Sequence, residues 1–444
     1  MWLFLLVLGC GGDAPPSASA PDGSDPSVDD VGPTGLPTAP TGESGSTGDP
    51  CATQLTAPVA AIRPQPGELY YAQLGLGGAF LGESAVVVGP DGTIVLIDAG
   101  NDAHDDDVQG YLAELAGQME AAGFPDVDGG RVDHVLVTHL HADHADGLED
   151  LLEDVAVDGV VVHRGFVDLT EAANPDTVAQ LCRAVQGQVQ ATLCEGPPLP
   201  SCDEASWLGS YPSTGCDGLD GGDLTRQGDV GPAHLQLGEG AELSILAANG
   251  HMAGTSFAEE VGPLRADDLN GENARSLVGV LSHGPFRLLF AGDLTAGTAD
   301  SDPVEEFFVP RFDEVGDLDA RGVDVLQLSH HGRDSSSSAE WLDRLLPADG
   351  RVRHGVVGVS TAHVGSPHAS VLEGVLGGDR LAGGALWTTT VAPGGATATG
   401  LVSAEGGRVL LSTVDGGQAY AVQAVGPGGA VRASEGAHAV RTCP

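Results

Sequence analysis

The sequence predicts an α/β (α+β) fold organised on mixed sheets. Short apolar runs rich in valine end in Gly-containing turns, the pattern of buried strands. Between two of these runs, Asp106 to Ala122 carries the apolar spacing of an amphipathic helix. Polar clusters follow several runs directly, which sets their side chains at the C-terminal ends of strands.

At 444 residues the chain is long enough for one large domain or for two to three smaller ones. Met1 to Leu8 is apolar but too short to span a bilayer as a helix. Leu6-Val7-Leu8-Gly9-Cys10 resembles the lipobox of bacterial lipoproteins, although no Lys or Arg precedes it as the start of a signal segment normally requires. That resemblance implies a signal segment over 1–10, a lipid on Cys10, and an extracytoplasmic protein anchored to a membrane, periplasmic or at the cell surface. Residues 11–50 are Pro, Gly, Ser, Thr, Asp and Ala with almost no large apolar side chains, so they read as a disordered linker. Such a tether holds the globular remainder, 51–444, off the membrane.

From Cys51 the elements follow in order. Leu69 to Leu76, Ser84 to Val88 and Thr93 to Ile97 read as three strands with Gly-rich turns, Pro90-Asp91-Gly92 among them. The third ends in Asp98-Ala99-Gly100. After the helix, Val132 to Val137 is a further buried strand, and Thr138-His139-Leu140-His141-Ala142-Asp143-His144 follows it at once. Three imidazoles and a carboxylate within six residues offer neutral nitrogens and a hard oxygen, a donor set for divalent zinc or manganese. His144 opens a helical stretch, Ala145 to Val155, so the loop can aim side chains in two directions and feed two metals.

Residues 163–235 break the pattern with Pro197-Pro198, Gly221-Gly222 and four cysteines, Cys182, Cys194, Cys202 and Cys216, inside 35 residues. They read as an insertion stapled by disulfides. The rival, a cysteine metal site, has no C-x-x-C pair here to support it. With Cys10 set aside, closeness in sequence favours Cys182 with Cys194 and Cys202 with Cys216, leaving Cys51 with Cys443. Strands resume at Glu242 to Ala247, Phe286 to Phe290 and Val323 to Leu328. The last two end in Ala291-Gly292-Asp293 and Ser329-His330-His331-Gly332-Arg333, and Ser366-Pro367-His368 comes later. Residues 384–424, rich in Gly, Thr and Val, read as terminal strands.

The H-x-H-x-D-H loop at a strand end, the upstream Asp98 and the G-D turn at Asp293 together resemble the metallo-β-lactamase superfamily. The N-x-x-S-L-V stretch from Asn273 to Val278, the H-H-G turn and the late P-H resemble its ComEC competence-protein branch, over about residues 69 to 375. The resemblance implies a four-layer αββα sandwich with two divalent ions at one sheet edge, zinc foremost and manganese or iron as alternatives. It implies that His139 and His141 hold the first ion and Asp143 and His144 the second. Asp293 would bridge them, and Asp98 would support the ligand loop from behind. His330 is expected as the last ligand of the second ion, with His331 or His368 facing the substrate as hydrogen-bond donor or acid; His330 and His331 can exchange roles. Asp143, His331 and His368 are thus the catalytic candidates. The first ion's third ligand is His251 by position, or water in an open coordination site. His354, His363 and His438 read with the other histidines as surface or structural.

The reaction implied is hydrolysis of a phosphodiester-type or other ester bond. Lactonase, thioesterase or β-lactamase chemistry is the alternative, as is a non-catalytic surface-anchored binding protein that retains the fold. Charge bears on the choice: 63 acidic residues face 18 basic ones, all arginine, for a formal −45. A field of that sign repels polyanions, which argues against nucleic acid and for a small-molecule or lipid-derived ester as substrate. The absence of lysine fits GC-rich coding, and the acidity fits a salty habitat as well. No apolar segment of spanning length accompanies the motifs, so DNA uptake is not expected to follow from the likeness.

Overall fold

The computed structural model describes residues 61–164, 192–194, 233–248, 250–252, 269–298, 301–313, 318, 320–360, 362–363, 365–390 and 399–440. The expected leader and linker lie outside these residues. So do Cys10, Cys51, Cys182, Cys202, Cys216 and Cys443, the side chains of Cys194 and His251, and most of the 163–235 insertion.

Among the described residues two sheets of nine strands carry the fold. From one edge to the other, the first sheet runs Val431–Ala439, Ala419–Val425, Arg408–Val414, Tyr70–Gln73, Ala85–Val88, Ile94–Ile97, His134–Val137, Val160–His163 and Thr192–Cys194. Its pairing is antiparallel as far as Ile94–Ile97 and parallel beyond. The second sheet repeats that division. His251–Met252, Ala241–Ala248, Val278–His283 and Phe286–Phe290 are antiparallel, with Ala233–Gln236 also on Ala241–Ala248. Val325–Gln327, His354–Val357, Leu386–Thr388 and Leu401–Ser403 continue it in parallel. Parallel strands release their loops at one end, and the polar clusters of both sheets leave from such carboxyl ends, where open α/β sheets place ligands.

Alternation along the strands explains why the runs are apolar throughout, since both faces are buried. Tyr70, Ala72, Ile94 and Leu96 pack with Val108, Leu112, Leu115 and Met119 of the helix Asp105–Ala122. Their neighbours Tyr71, Val95 and Ile97 turn the other way and meet Ile245, Leu281, Leu288, Phe290, Val325 and Trp387 between the sheets. The helices Val304–Phe308, Ala339–Leu345 and Ala369–Leu376 cover the far face of the second sheet through Phe308, Trp341, Leu342, Val371 and Val375. Helix, sheet, sheet and helix make the four-layer αββα sandwich.

Several boundaries differ from the sequence reading. The expected strand Val132 to Val137 divides, because Asp133 turns aside and bonds Ile94 through both its carboxylate (2.7 Å) and its N–H (3.0 Å). Arg131–Val132 pairs instead with Ala156–Val157 in a small parallel sheet. The helix expected from Ala145 starts at Ala142 and is broken into Ala142–Ala145 and Gly147–Asp154. Within the expected insertion, Thr192–Cys194 is an edge strand of the first sheet. The terminal strands divide between the sheets, Leu386–Thr388 and Leu401–Ser403 finishing the second and the rest returning to the first. No helix among the described residues is long and apolar enough to cross a membrane.

Candidate metal centre

The histidine loop is pinned from both sheets before any ion is considered. Asp98, at the end of Ile94–Ile97 and in the left-handed region (φ 55°), accepts the Thr138 N–H through Oδ1 (2.7 Å). Its Oδ2 accepts the Thr138 hydroxyl (2.7 Å) and faces His144 Nδ1 (2.8 Å). The loop's far side is held by Glu272, whose Oε1 accepts the Leu140 N–H (2.7 Å) while Arg164 donates to both carboxylate oxygens at 2.6 Å. Leu277 N–H donates to the Thr138 carbonyl (2.8 Å), which ties the second sheet to the loop.

Asp293 arrives from the second sheet. The turn before it passes so close to Thr138 that a Cβ on Gly292 would lie 2.7 Å from the Thr138 side chain, and its φ of +48° is strained for other residues. Ser276 Oγ accepts the Asp293 N–H at 3.1 Å. Next to it His330, His331 and Gly332 have consecutive positive φ values of 52°, 51° and 70°. Left-handed backbone at non-glycine residues is a cost that the surroundings must hold in place, and here it turns the two imidazoles apart.

Two groups of donor atoms result, sharing Asp293. His139 Nε2, His141 Nδ1 and Asp293 converge in one, the two ring nitrogens 3.0 Å apart. His144 Nε2, His331 Nε2 and Asp293 Oδ1 converge in the other, with Asp143 Oδ2 3.5 Å from His331. Hydrogen bonds at the far nitrogens decide which ring atom keeps a lone pair. The Thr138 hydroxyl gives its proton to Asp98 and so accepts from His139 Nδ1 (3.1 Å), leaving His139 Nε2 bare. Asp98 takes the His144 Nδ1 proton, leaving Nε2 bare. The Gly358 carbonyl (3.0 Å) takes the His331 Nδ1 proton, with the Glu83 carboxylate 2.8 Å away as an ion-pair partner, so that in the neutral ring Nε2 is bare. His144 and His331 Nε2 and Asp293 Oδ1, donor atoms of the second group, are buried without a hydrogen-bond partner, as are the outer Nε2 of His141 and the Nε2 of His363. Buried polar atoms in that state need an explanation, and a donor set of this composition fits divalent ions.

The charges follow the same division. Burial, and then His144, holds His139 well below the usual imidazole value. Burial pulls His144 and His331 down as well, but Asp293 with Asp98 outweighs it at His144 and Asp293 with Glu83 at His331. The first is raised well above its ordinary value and the second to about 10. Burial would raise Asp143 and Asp293, yet bonds from His331 and His363 hold Asp143 well below the carboxylate range, and the charges of His331 and His144 do so for Asp293.

Residues 78–175, which include Asp98 and the whole ligand loop, match the sequence profile of the family described as the metallo-beta-lactamase superfamily. A similar solved structure is a HARLDQ-motif mutant of a metallo-beta-lactamase from Cronobacter sakazakii, 18% identical, with 61% of this chain and 79% of that one covered and a TM-score of 0.26. Another is Zn(2+)-bound PqqB from Methylobacterium extorquens, at 12% identity, 76% and 98% coverage and a TM-score of 0.34. A third is MEM-A1, a subclass B3 metallo-beta-lactamase from a soil metagenome library, at 13%, 60% and 78%, and 0.25. Scores this low add nothing to the fold assignment, which stands on the profile match and the layers. No curated protein matches the sequence.

His139, His141, Asp143, His144, Asp293 and His331 come together with Asp98 behind them. His330 stands one step off. Ser335 Oγ meets its Nδ1 (2.7 Å) and Asn273 its Nε2 (3.1 Å), so both ring nitrogens are engaged whichever way the amide is turned, and burial presses its pKa to about 4. His331, rather than His330, therefore offers the free nitrogen to the second group. His368 is half-exposed, bonds Ser370 Oγ (2.8 Å) and lies 4.0 Å from Asp334, away from the ligand atoms. Three contributors carry no spacing signal in the sequence: Glu83, Glu272 and His363, the last 3.6 Å from Asp143 Oδ2.

A second convergence, His354, Glu435 and His438, lies at the opposite end of the strand His354–Val357. His354 Nδ1 accepts from Ala385 N–H (3.1 Å) and Trp387 Nε1–H (3.0 Å), so its Nε2 keeps the proton and points to Glu435 at 3.7 Å. A protonated nitrogen is no ligand. The trio anchors the edge strand Val431–Ala439 across the sandwich.

Proposed function

We propose that the domain is a binuclear metal-dependent hydrolase of phosphodiester-type bonds, borne on a lipoprotein outside the cytoplasm. One observation carries the hydrolase reading: two donor groups share Asp293, and the far nitrogens of His139, His144 and His331 are each bonded so that the near one is bare. His139, His141 and Asp293 would hold the first ion, and Asp143, His144, Asp293 and His331 the second. The remaining place on the first falls to His251 or to water. Zinc suits this set of imidazoles and carboxylates. When bound, such ions supply water activated near neutral pH and positive charge against a developing oxyanion.

The chain's own residues hold that arrangement rigid. Asp98 and the Gly358 carbonyl keep the outer protons of His144 and His331, Glu83 lies against the latter as an ion-pair partner, and Glu272 keeps the loop backbone at its station. The N-x-x-S-L-V likeness to the ComEC branch supports the phosphodiester choice: Asn273 bonds His330 and Ser276 bonds the Asp293 N–H, so both polar residues of that motif serve the centre. Net charge of −45 favours a small or lipid-derived diester over a long nucleic acid. The test is a panel of bis(p-nitrophenyl) phosphate, choline-type diesters, a lactone, a thioester, a β-lactam and duplex DNA, with metal-reconstituted protein beside Asp293→Asn. Diesters should turn over fastest and lose their turnover in the variant. A lactone or β-lactam turned over well above the diesters rejects the substrate class, and no turnover of any ester rejects the hydrolase.

A further inference from the structure

The loop after the strand His354–Val357 treats two stacked imidazoles in opposite ways. His331 and His363 lie with ring centroids 3.8 Å apart, both nearly inaccessible to solvent, and their Nε2 atoms face the same carboxylate oxygen, Asp143 Oδ2, at 3.5 and 3.6 Å. By distance alone both look like ligands. Their far nitrogens disagree. Gly358 offers a carbonyl to His331 Nδ1 (3.0 Å), so that nitrogen keeps its proton and Nε2 is the one that is bare in the neutral ring a metal takes. Two residues on, Ser360 offers an N–H to His363 Nδ1 (3.1 Å), so that nitrogen is bare and the proton of the neutral ring sits on Nε2. The Ser360 hydroxyl lies 2.9 Å from the same Nδ1 and 3.1 Å from the Phe80 carbonyl; with Nδ1 already accepting the Ser360 N–H, the hydroxyl's single proton goes to the ring nitrogen. Glu83 N–H in turn donates to the Asp143 carbonyl (2.9 Å).

We infer that His363 is a fixed hydrogen-bond donor that positions the Asp143 carboxylate, and not a further ligand of the second ion. Asp143 is then held at its backbone by Glu83, while His363 Nε2, buried without a hydrogen-bond partner, faces Oδ2 of its side chain at 3.6 Å, so that a small approach of that carboxylate completes the bond. An N–H aimed at a carboxylate ligand fixes which oxygen it presents, a role whose loss costs about 10–100-fold in metal affinity. The inference rests on the ligand assignment proposed above.

Two measurements on the full chain separate it from that assignment. In the metal-free protein, long-range imidazole nitrogen spectra, with the His363 signals assigned by His363→Gln, should show Nδ1 bare and Nε2 protonated; a protonated Nδ1 overturns the inference whatever the metals do. In the cobalt-loaded protein, exchangeable hyperfine-shifted ring N–H signals should number one for each of His139, His141, His144 and His331, and His363→Gln should keep them all. A further such signal that vanishes in His363→Gln makes His363 a ligand and overturns the inference. Chelator competition should place the second cobalt about 10–100-fold weaker in His363→Phe and near wild type in His363→Gln, whose amide retains the donor. Equal weakening in both variants also counts against it. Failure of the wild type to take up cobalt, with the spectra as expected, removes the ligand assignment and leaves the tautomer standing.

Discussion

Replacing Glu272 by alanine isolates the brace between the ligand loop and the rest of the sandwich. Glu272 is 1% exposed and Arg164 wholly buried, their bidentate pair has both contacts at 2.6 Å, and Oε1 also accepts the Leu140 N–H at 2.7 Å. Removing one partner of a buried pair costs about 3–5 kcal/mol, and an orphaned buried N–H adds about 1–3, with incomplete additivity between neighbours. We expect about 4 kcal/mol or more for Glu272→Ala by urea denaturation, and about half that for Glu272→Gln, which keeps an acceptor. Burial would raise the Glu272 carboxyl, but the charge and bonds of Arg164 hold it below its usual 4.5. A lowered folded value means that the contribution is present above the unfolded one and lost as pH falls through the folded one, so the gap between wild type and variant should narrow in acid. A Glu272→Ala effect under about 1 kcal/mol, or a gap independent of pH, refutes the brace.

Asp98→Asn puts an amide donor where Thr138 and His144 both need an acceptor, and should weaken metal binding by about 10–100-fold with the fold retained, as chelator competition would show. Metal uptake should strengthen with pH and release protons near pH 7, measured by calorimetry in buffers of different ionisation enthalpy, because His331 is raised from 6.5 to about 10 and His144 is raised too. The same raised values stabilise the metal-free protein fully below about pH 6.5, a contribution lost as pH rises through about 10, so its urea midpoint should fall over that window while metal affinity rises. Cys10→Ser should move the protein out of the membrane fraction; retention there would dismiss the lipid anchor.

The parts legible in the sequence are those encoded locally. Valine-rich runs announce buried strands, and H-x-H-x-D-H after one of them announces a metal loop, because ligand type and spacing lie within a few residues. The N-x-x-S-L-V stretch was legible only as a likeness; its chemistry, Asn273 on His330 and Ser276 on Asp293, needs the fold. Arg164 and Glu272 are 108 residues apart, and nothing in either neighbourhood marks them as a pair. The choice between His330 and His331 turns on contacts from Asn273, Glu83 and Gly358, two of them side chains brought from segments distant in sequence. His363 has no ligand at metal spacing in its own segment, so it reads as structural until Ser360 and Asp143 are seen around it. The division of Val132 to Val137 likewise depends on a distant partner, the Ile94 backbone, which captures Asp133.

The most direct measurement is metal content. Protein from residue 51 onward, purified and loaded with zinc, then freed of loose metal by gel filtration, should hold close to two ions per chain by elemental analysis. Asp293→Asn should lower that number, because the shared carboxylate loses the charge that serves both donor groups. A wild type that folds normally and retains no ion under these conditions, or an Asp293→Asn variant that retains both, would contradict the binuclear centre.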